Sequence, residues 1–92
     1  MKDFIRVDLN TVKDIIDRFR EKENSILTSD VIRKYCGRFV SNVGIPAHQS
    51  FNAQFGKILK KHSDFLDIEE IATDVQVDDD TGHSTTASKW AI

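Results

Sequence analysis

The chain has 92 residues, and 39% of them are hydrophobic, which suffices for the core of one small domain but not for a deep, substrate-sized cleft. Its 13 Lys and Arg stand against 15 Asp and Glu, and the net charge of −2 excludes a uniformly basic DNA-coating protein and a uniformly acidic disordered chain. The single cysteine excludes a disulfide framework, and no apolar run reaches the roughly 20 residues of a membrane span. We therefore expect one cytoplasmic domain over residues 1–92.

The charges are distributed unevenly along the chain. Residues 1–62 hold 12 basic and 7 acidic side chains, whereas residues 63–92 hold 8 acids and one base, Lys89. Between Asp30 and Asp64 there are six basic residues and no acidic one. Such segregation is typical of a protein with a surface for a polyanion, although small proteins also segregate charge by chance.

A first helix is predicted over residues 9–23, with Asp8 or Asn10 as its N-cap. Its apolar residues recur at the spacing of one helix face: Val12, Ile15, Ile16 and Phe19. The short apolar step Ile26-Leu27 that follows is long enough only for a stub of strand.

A second helix is predicted over residues 29–42, with Thr28 or Ser29 as its N-cap. Its inward stripe consists of Val31, Ile32, Tyr35, Cys36 and Phe39. A turn then follows, because Gly44 permits positive φ and Pro46 blocks continuation of a helix.

A third helix is predicted over residues 49–62. Its inward face consists of Phe51, Phe55, Ile58 and Leu59. Its outward face consists of Ser50, Ala53, Gln54, Lys57, Lys60 and Lys61. The outward face is thus predicted to be polar and cationic, without any acidic residue.

A β-hairpin is predicted over residues 68–92, with a turn at 78–83. The first strand alternates with Ile71, Thr73, Val75 and Val77 on one face. The return strand places Trp90 and Ile92 on the core face. The predicted fold class is α+β, and three helices followed by a two-stranded antiparallel hairpin is the order of a winged helix-turn-helix domain.

Two short motifs and the end of the chain carry a family resemblance. They are Asn52-Ala53, Phe55-Gly56-Lys57 and Trp90-Ala91-Ile92. With these residues the chain resembles the winged-helix DNA-binding domains of the regulatory factor X family, and the similar module of viral and phage primase-helicases, over residues 26–92. The resemblance implies that the third helix faces DNA. Ala91 stands where the family has glycine.

The predicted hairpin, or wing, departs from this family. The resemblance implies a strongly basic wing that contacts DNA, whereas here Lys89 is the only Lys or Arg of the hairpin. Its acidic residues are Asp74, Asp78, Asp79 and Asp80, besides Glu69 and Glu70 at its start. Because acidic groups repel phosphates, wing contacts to DNA are not expected.

Candidate base-reading residues lie at the start of the third helix, where helix-turn-helix proteins contact base edges. They are Gln49, Ser50, Asn52, Gln54 and Lys57. Amide side chains bond bidentately to adenine, and lysine donates to guanine. The alternatives are an ordinary solvated helix face and, for Asn52, a cap or hydrogen bond within the turn.

Candidate phosphate-binding residues are Arg33, Lys34, Arg38, Lys60 and Lys61. Such contacts position a protein on DNA and make its binding salt-dependent. Singly, each of these residues is equally compatible with a role in solubility. Together, in a segment without acids, they favour an anionic partner.

The sequence indicates no catalytic, metal or cofactor site. Cys36 on an inward stripe is predicted to be a core residue. The histidines, His48, His62 and His83, lack zinc-ligand spacing, and no glutamate closes a calcium loop after residues 78–82. We expect a binding module and not an enzyme.

Two functions of different class remain open. The first is a module for double-stranded DNA, with the third helix in the major groove, in a small transcription regulator or a replication-associated protein. The second is a winged-helix protein-interaction module that uses the acidic wing and binds no DNA. The sequence leaves the oligomeric state open.

Overall fold

The computed structural model describes residues 6–40 and 51–92. The helices are α1 (Leu9–Arg20), α2 (Thr28–Cys36), α3 (Phe51–Lys61) and α4 (Ser63–Leu66). The strands are β1 (Ser25–Leu27), β2 (Glu69–Asp78) and β3 (Ser84–Ala91). Within the described residues the protein is a small α+β domain with four helices and a three-stranded antiparallel sheet.

The sheet has the order β1-β3-β2, so the last strand of the chain lies in the middle. Trp90 pairs with Ile26 of β1 on one side and with Glu70 of β2 on the other. Trp90 is 1% exposed, and its indole Nε1 donates to Thr28 Oγ1 at 2.8 Å. The central strand therefore joins the sheet to the first turn of α2.

The hydrophobic core draws on every helix and on strands β1 and β3. Its buried members are Val12, Ile16, Ile26, Val31, Ile32, Phe39, Phe55, Leu59, Leu66, Ile68 and Trp90. In α3, Phe55 and Leu59 lie one turn apart and are fully buried, and Phe51 packs against Phe55 with ring centroids 5.7 Å apart. The opposite side of α3 is consequently turned outward.

The prediction of three helices and two strands is wrong by one helix and one strand. The stub of strand expected at Ile26-Leu27 is present, but it joins the sheet as a third strand by pairing with β3. The fourth helix is a single turn that ends at Leu66, and its C-cap Asp67 has a left-handed φ of 57°. A four-residue helix is too short to produce a recognisable hydrophobic period.

The predicted helix ends are partly wrong. Asp8 caps α1 as expected, since its Oδ1 accepts from the backbone N–H groups of Asn10 and Thr11. That helix ends at Arg20 and not at residue 23. The N-cap of α2 is Leu27 rather than Thr28 or Ser29, both of which are buried in the helix.

The end of α2 also differs from the prediction. The helix stops at Cys36, because Gly37 adopts a left-handed φ of 87° and caps it. The predicted extension to residue 42 is therefore wrong, and Phe39 lies beyond the helix although it is buried as expected. Cys36 is exposed, so its predicted place in the core is wrong. Residues 41–50, with the predicted turn and the start of the third helix, lie outside the described residues.

Substituting Gly37 by alanine should destabilise the fold by about 1 kcal/mol, because an L side chain is strained in the left-handed region. A Cβ there would meet nothing within 4 Å, so the cost is that of the backbone alone. Gly56 provides the matched control: it lies in α3, and a Cβ there also meets nothing within 4 Å. In urea unfolding, Gly56→Ala should raise the free energy of unfolding by about 0.5–1 kcal/mol. If both substitutions changed the free energy of unfolding in the same direction, the left-handed conformation of Gly37 would not explain the cost.

The alternation predicted for the first hairpin strand is wrong in its first half. The pairing of β2 with β3 shifts register between Glu70 and Ala72, and again between Ala72 and Val75. These bulges reverse the facing: Ile71 is 53% exposed, whereas Val75 and Val77 are half-buried. Sequence alternation alone does not reveal a bulge.

Candidate nucleic-acid interface

The outward side of α3 carries three lysines and no acid. Lys57, Lys60 and Lys61 are exposed, while Phe55 and Leu59 on the opposite side are fully buried. Lys57 and Lys61 are one helical turn apart and make no hydrogen bond or ion pair with any described residue. Lys60 Nζ lies 3.4 Å from Glu70 Oε1, although its side chain remains 73% exposed.

The placement of Gln54 on the outward face is wrong. Its side chain is 9% exposed, on the side of α3 that packs on the domain. Asn52 is half-buried, and its Nδ2 donates to the backbone carbonyl of Val40 at 2.8 Å. This bond matches the alternative considered for Asn52, a hydrogen bond within the connection. The other two candidate base readers, Gln49 and Ser50, lie outside the described residues.

Arg33 of α2 is engaged by acidic side chains. Its Nε donates to Asp80 Oδ1 at 3.0 Å, and a terminal nitrogen lies 2.9 Å from the same oxygen. Asp30 Oδ1 lies 3.7 Å from the other terminal nitrogen. The guanidinium carbon is 5.8 Å from the centroid of the Phe39 ring. Unlike Lys57 and Lys61 of α3, Arg33 thus already has a carboxylate partner among the described residues.

Lys34 and Arg38 complete the predicted phosphate-binding set. Both are exposed, and neither makes an ion pair within residues 6–40 and 51–92. Of the six bases between Asp30 and Asp64, two are therefore paired with acids of the described ranges and four have no ion pair there. The four are Lys34, Arg38, Lys57 and Lys61.

The tip of the β2–β3 hairpin is bonded to the segment that follows α2. Asp80 Oδ2 accepts from the N–H of Phe39 at 2.9 Å, and the N–H of Asp80 donates to the carbonyl of Phe39 at 2.8 Å. The adjacent Val40 accepts the bond from Asn52 in the first turn of α3. Consecutive hydrogen bonds thus join the hairpin tip to the start of α3.

The acidic turn is only partly available to a partner. The side chain of Asp79 is fully buried, and its Oδ1 accepts from the N–H and hydroxyl of Thr81 and from the N–H of His83, at 2.8–2.9 Å. Asp79 therefore stabilises the turn through internal hydrogen bonds, and Asp80 is paired with Arg33. Asp74 and Asp78, which precede the tip in β2, are also exposed.

Sequence reasoning missed the role of Asp80. It is separated from Arg33 by 47 residues, so no local spacing reports the pair. The signal present in the sequence was the opposite charge of the second helix and the hairpin turn. That signal was interpreted as a departure from the family pattern, not as an internal contact.

The pKa is lowered at the carboxyl groups of Asp80 and Glu70. The backbone N–H of Phe39, followed by Arg33, lowers the pKa of Asp80. The hydroxyl of Ser88, whose Oγ lies 2.6 Å from Glu70 Oε2, together with Lys60 lowers the pKa of Glu70. Both groups therefore favour the folded state when they are ionised.

The free energy of unfolding should fall as the pH drops below about 4, the ordinary range of these carboxyl groups. Above that range the charged forms stabilise the fold. As the pH falls through the lowered folded-state pKa values, the unfolded chain binds more protons and this stability is lost. Urea unfolding between about pH 6 and 3 should show a shallower decline for Asp80→Asn with Glu70→Gln. An unchanged pH profile in that double variant would contradict this assignment.

Among the described residues, no group of three or more His, Cys, Asp or Glu is arranged to hold a metal ion. No helix in the described ranges is long and apolar enough to cross a membrane. Comparisons with protein-family models, curated proteins and solved structures found no match to this chain.

Proposed function

We propose that this chain is a winged helix-turn-helix domain that binds double-stranded DNA, with α3 as the helix that enters the major groove. The order helix, strand, two helices, a one-turn helix and a hairpin supports this fold, and so does the pairing of the first strand with the last strand of the chain. The proposed activity is binding, without catalysis and without a cofactor.

The exposed lysine face of α3 carries this proposal. Its lysines project from a helix anchored through Phe55 and Leu59, so the backbone positions that carry the charges are fixed. Each lysine that neutralises a phosphate releases counterions, and this release supplies most of the affinity of non-specific DNA binding. The net charge of −2 does not oppose such binding, because the acids concentrate in residues 63–80.

The side chains of Asn52 and Gln54, two of the predicted base-reading residues, are turned toward the protein itself. Gln54 is buried and Asn52 bonds to Val40, so the exposed part of α3 offers lysines. Residues 51–61 would therefore position the domain on the DNA backbone more than read its sequence. Lys57 is the described candidate from the base-reading set that remains exposed.

The second candidate function is a protein-interaction module, and one observation favours it. Phe65 of α4 and Ile71 of β2 are 48% and 53% exposed, in a segment rich in acids. A basic, partly apolar partner would suit that surface. Within the acidic wing, the tip is the less favoured place for such a contact, since Asp79 is buried and Asp80 is paired with Arg33.

Fluorescence anisotropy of a labelled mixed-sequence duplex tests the DNA proposal. We expect micromolar binding at about 50 mM salt, weakened about 40- to 150-fold at about 200 mM if three or four phosphates are contacted. No binding at the lower salt concentration would contradict the proposal. A partner captured through Phe65 and Ile71, and lost in Phe65→Ser with Ile71→Ser, would then support the second candidate.

A further inference from the structure

We propose that Asp80 withholds Arg33 from DNA phosphate, so that the hairpin tip limits the affinity of the α2–α3 surface for duplex DNA. This inference rests on the proposed function. On this inference, Asp80 of the acidic turn competes with DNA phosphate for Arg33.

Arg33 and Phe39 together form a site for an anion that Asp80 fills. The carboxylate accepts from Arg33 Nε at 3.0 Å, from an Arg33 terminal nitrogen at 2.9 Å and from the Phe39 N–H at 2.9 Å. Arginine binds carboxylate and phosphate with the same pattern of donors. A DNA phosphate at Arg33 would therefore have to displace Asp80 or remain without this arginine.

The neighbouring contacts favour the internal carboxylate over a phosphate. The N–H of Asp80 also bonds to the carbonyl of Phe39, and Asp79 fixes the turn from within. Asp80 is thus held in place before any ligand arrives, and little further ordering is needed to keep the pair. Asp30, 3.7 Å from Arg33, adds a second negative charge.

The position of the pair connects it with the proposed DNA surface. The Phe39 N–H donates to the Asp80 carboxylate, and the Phe39 carbonyl accepts from the Asp80 N–H. The carbonyl of the adjacent Val40 accepts from the side chain of Asn52 at the start of α3. Arg33 is therefore connected, through Asp80, Phe39 and Val40, to the helix that carries Lys57 and Lys61. Without Asp80, Arg33 would become an additional cation for the backbone of the same duplex.

Asp80→Asn tests this inference by removing the charge while keeping an acceptor for the Phe39 N–H. We expect duplex affinity to rise about 5- to 20-fold at about 50 mM salt, and the slope of log K against log salt to steepen by about 0.9, the value for one phosphate. Asp78→Asn is the matched control, since Asp78 is exposed and its recorded side-chain contact is the Ser84 hydroxyl at 3.2 Å. Asp78→Asn should leave the slope unchanged.

A second variant keeps the inference testable if Asp80→Asn does not fold. Arg33→Gln should leave the salt slope of the wild type unchanged, whereas Lys57→Gln should reduce its magnitude by about 0.9. An equal reduction in Arg33→Gln would overturn the inference, because Arg33 would then already contact phosphate. Equal gains in Asp80→Asn and Asp78→Asn would also overturn it.

The outcomes separate this inference from the function on which it rests. If the wild type binds duplex and Asp80→Asn binds with the same affinity and slope, the inference is wrong and the proposed function stands. If neither the wild type nor Asp80→Asn binds any duplex at about 50 mM salt, the proposed function itself fails.

Discussion

Replacing Lys57 and Lys61 together by glutamate should lower the affinity for duplex DNA about 100-fold at about 50 mM salt. The two lysines are exposed, lie one turn apart on α3 and make no ion pair with the described residues. The double variant removes two cations from the proposed surface and adds two charges that repel phosphate. The fold should survive, because neither side chain contributes to the core.

Lys22→Glu with Lys89→Glu provides the control for this variant. Both lysines are exposed, neither has an ion pair in the described part of the chain, and the change in net charge is identical. If affinity depends on α3, the control should lose less than about fivefold in the same titration. Equal losses in the two double variants would show that net charge governs binding and that α3 has no special role.

Trp90→Ala should destabilise the domain by about 3–5 kcal/mol, the largest effect expected of a single substitution here. Trp90 is 1% exposed at the centre of the sheet, where it lies between Ile26 and Glu70. Truncation leaves a cavity in that row and removes the bond from the indole to Thr28. Urea unfolding, followed by circular dichroism because the single tryptophan is lost, measures the change.

Phe65→Ala is the matched control for the loss of an aromatic ring. Phe65 is 48% exposed, so its truncation should change the free energy of unfolding by less than about 1 kcal/mol. Trp90→Phe should have an intermediate effect, since it keeps an aromatic ring but loses the indole donor. A cost below about 1 kcal/mol for Trp90→Ala would contradict the central position of this residue.

The elements with a strong local pattern could be predicted from the sequence. The apolar face of α1 and its cap at Asp8 depend on neighbours within one or two turns, and the structure has both. The burial of Phe55 and Leu59 also follows from helical spacing, and it places the lysines of α3 on the outward side. For Lys57, Lys60 and Lys61, helical periodicity was a sufficient guide.

The features that could not be predicted depend on contacts distant in sequence or on local irregularity. β1 becomes a strand of the sheet by pairing with β3, more than 60 residues later. The bulges of β2 reverse the facing of Ile71, which a strict alternation places in the core. Gln54 lies at the margin of the inward helix face, where a helical wheel does not determine whether a side chain is buried.

For the candidate site, the sequence therefore predicted where the basic side chains lie better than it predicted which residues they contact. The cationic α3 face follows from composition and period. The pairing of Arg33 with Asp80 does not, since it requires the hairpin turn to fold back onto the end of α2. Because of that contact, Asp80 of the acidic turn is better described as the internal ion-pair partner of Arg33 than as part of a surface that repels DNA.

Mapping of backbone amide chemical shifts during titration with a duplex shows whether α3 contacts DNA. We expect progressive, saturable shifts on the outward face of α3, strongest around Lys57 and Lys61, with smaller changes at Lys34 and Arg38. Residues of the exposed apolar segment, Phe65 and Ile71, should not shift. No shifts at about 50 mM salt, or shifts confined to that segment, would contradict the assignment of α3 as a DNA-binding surface.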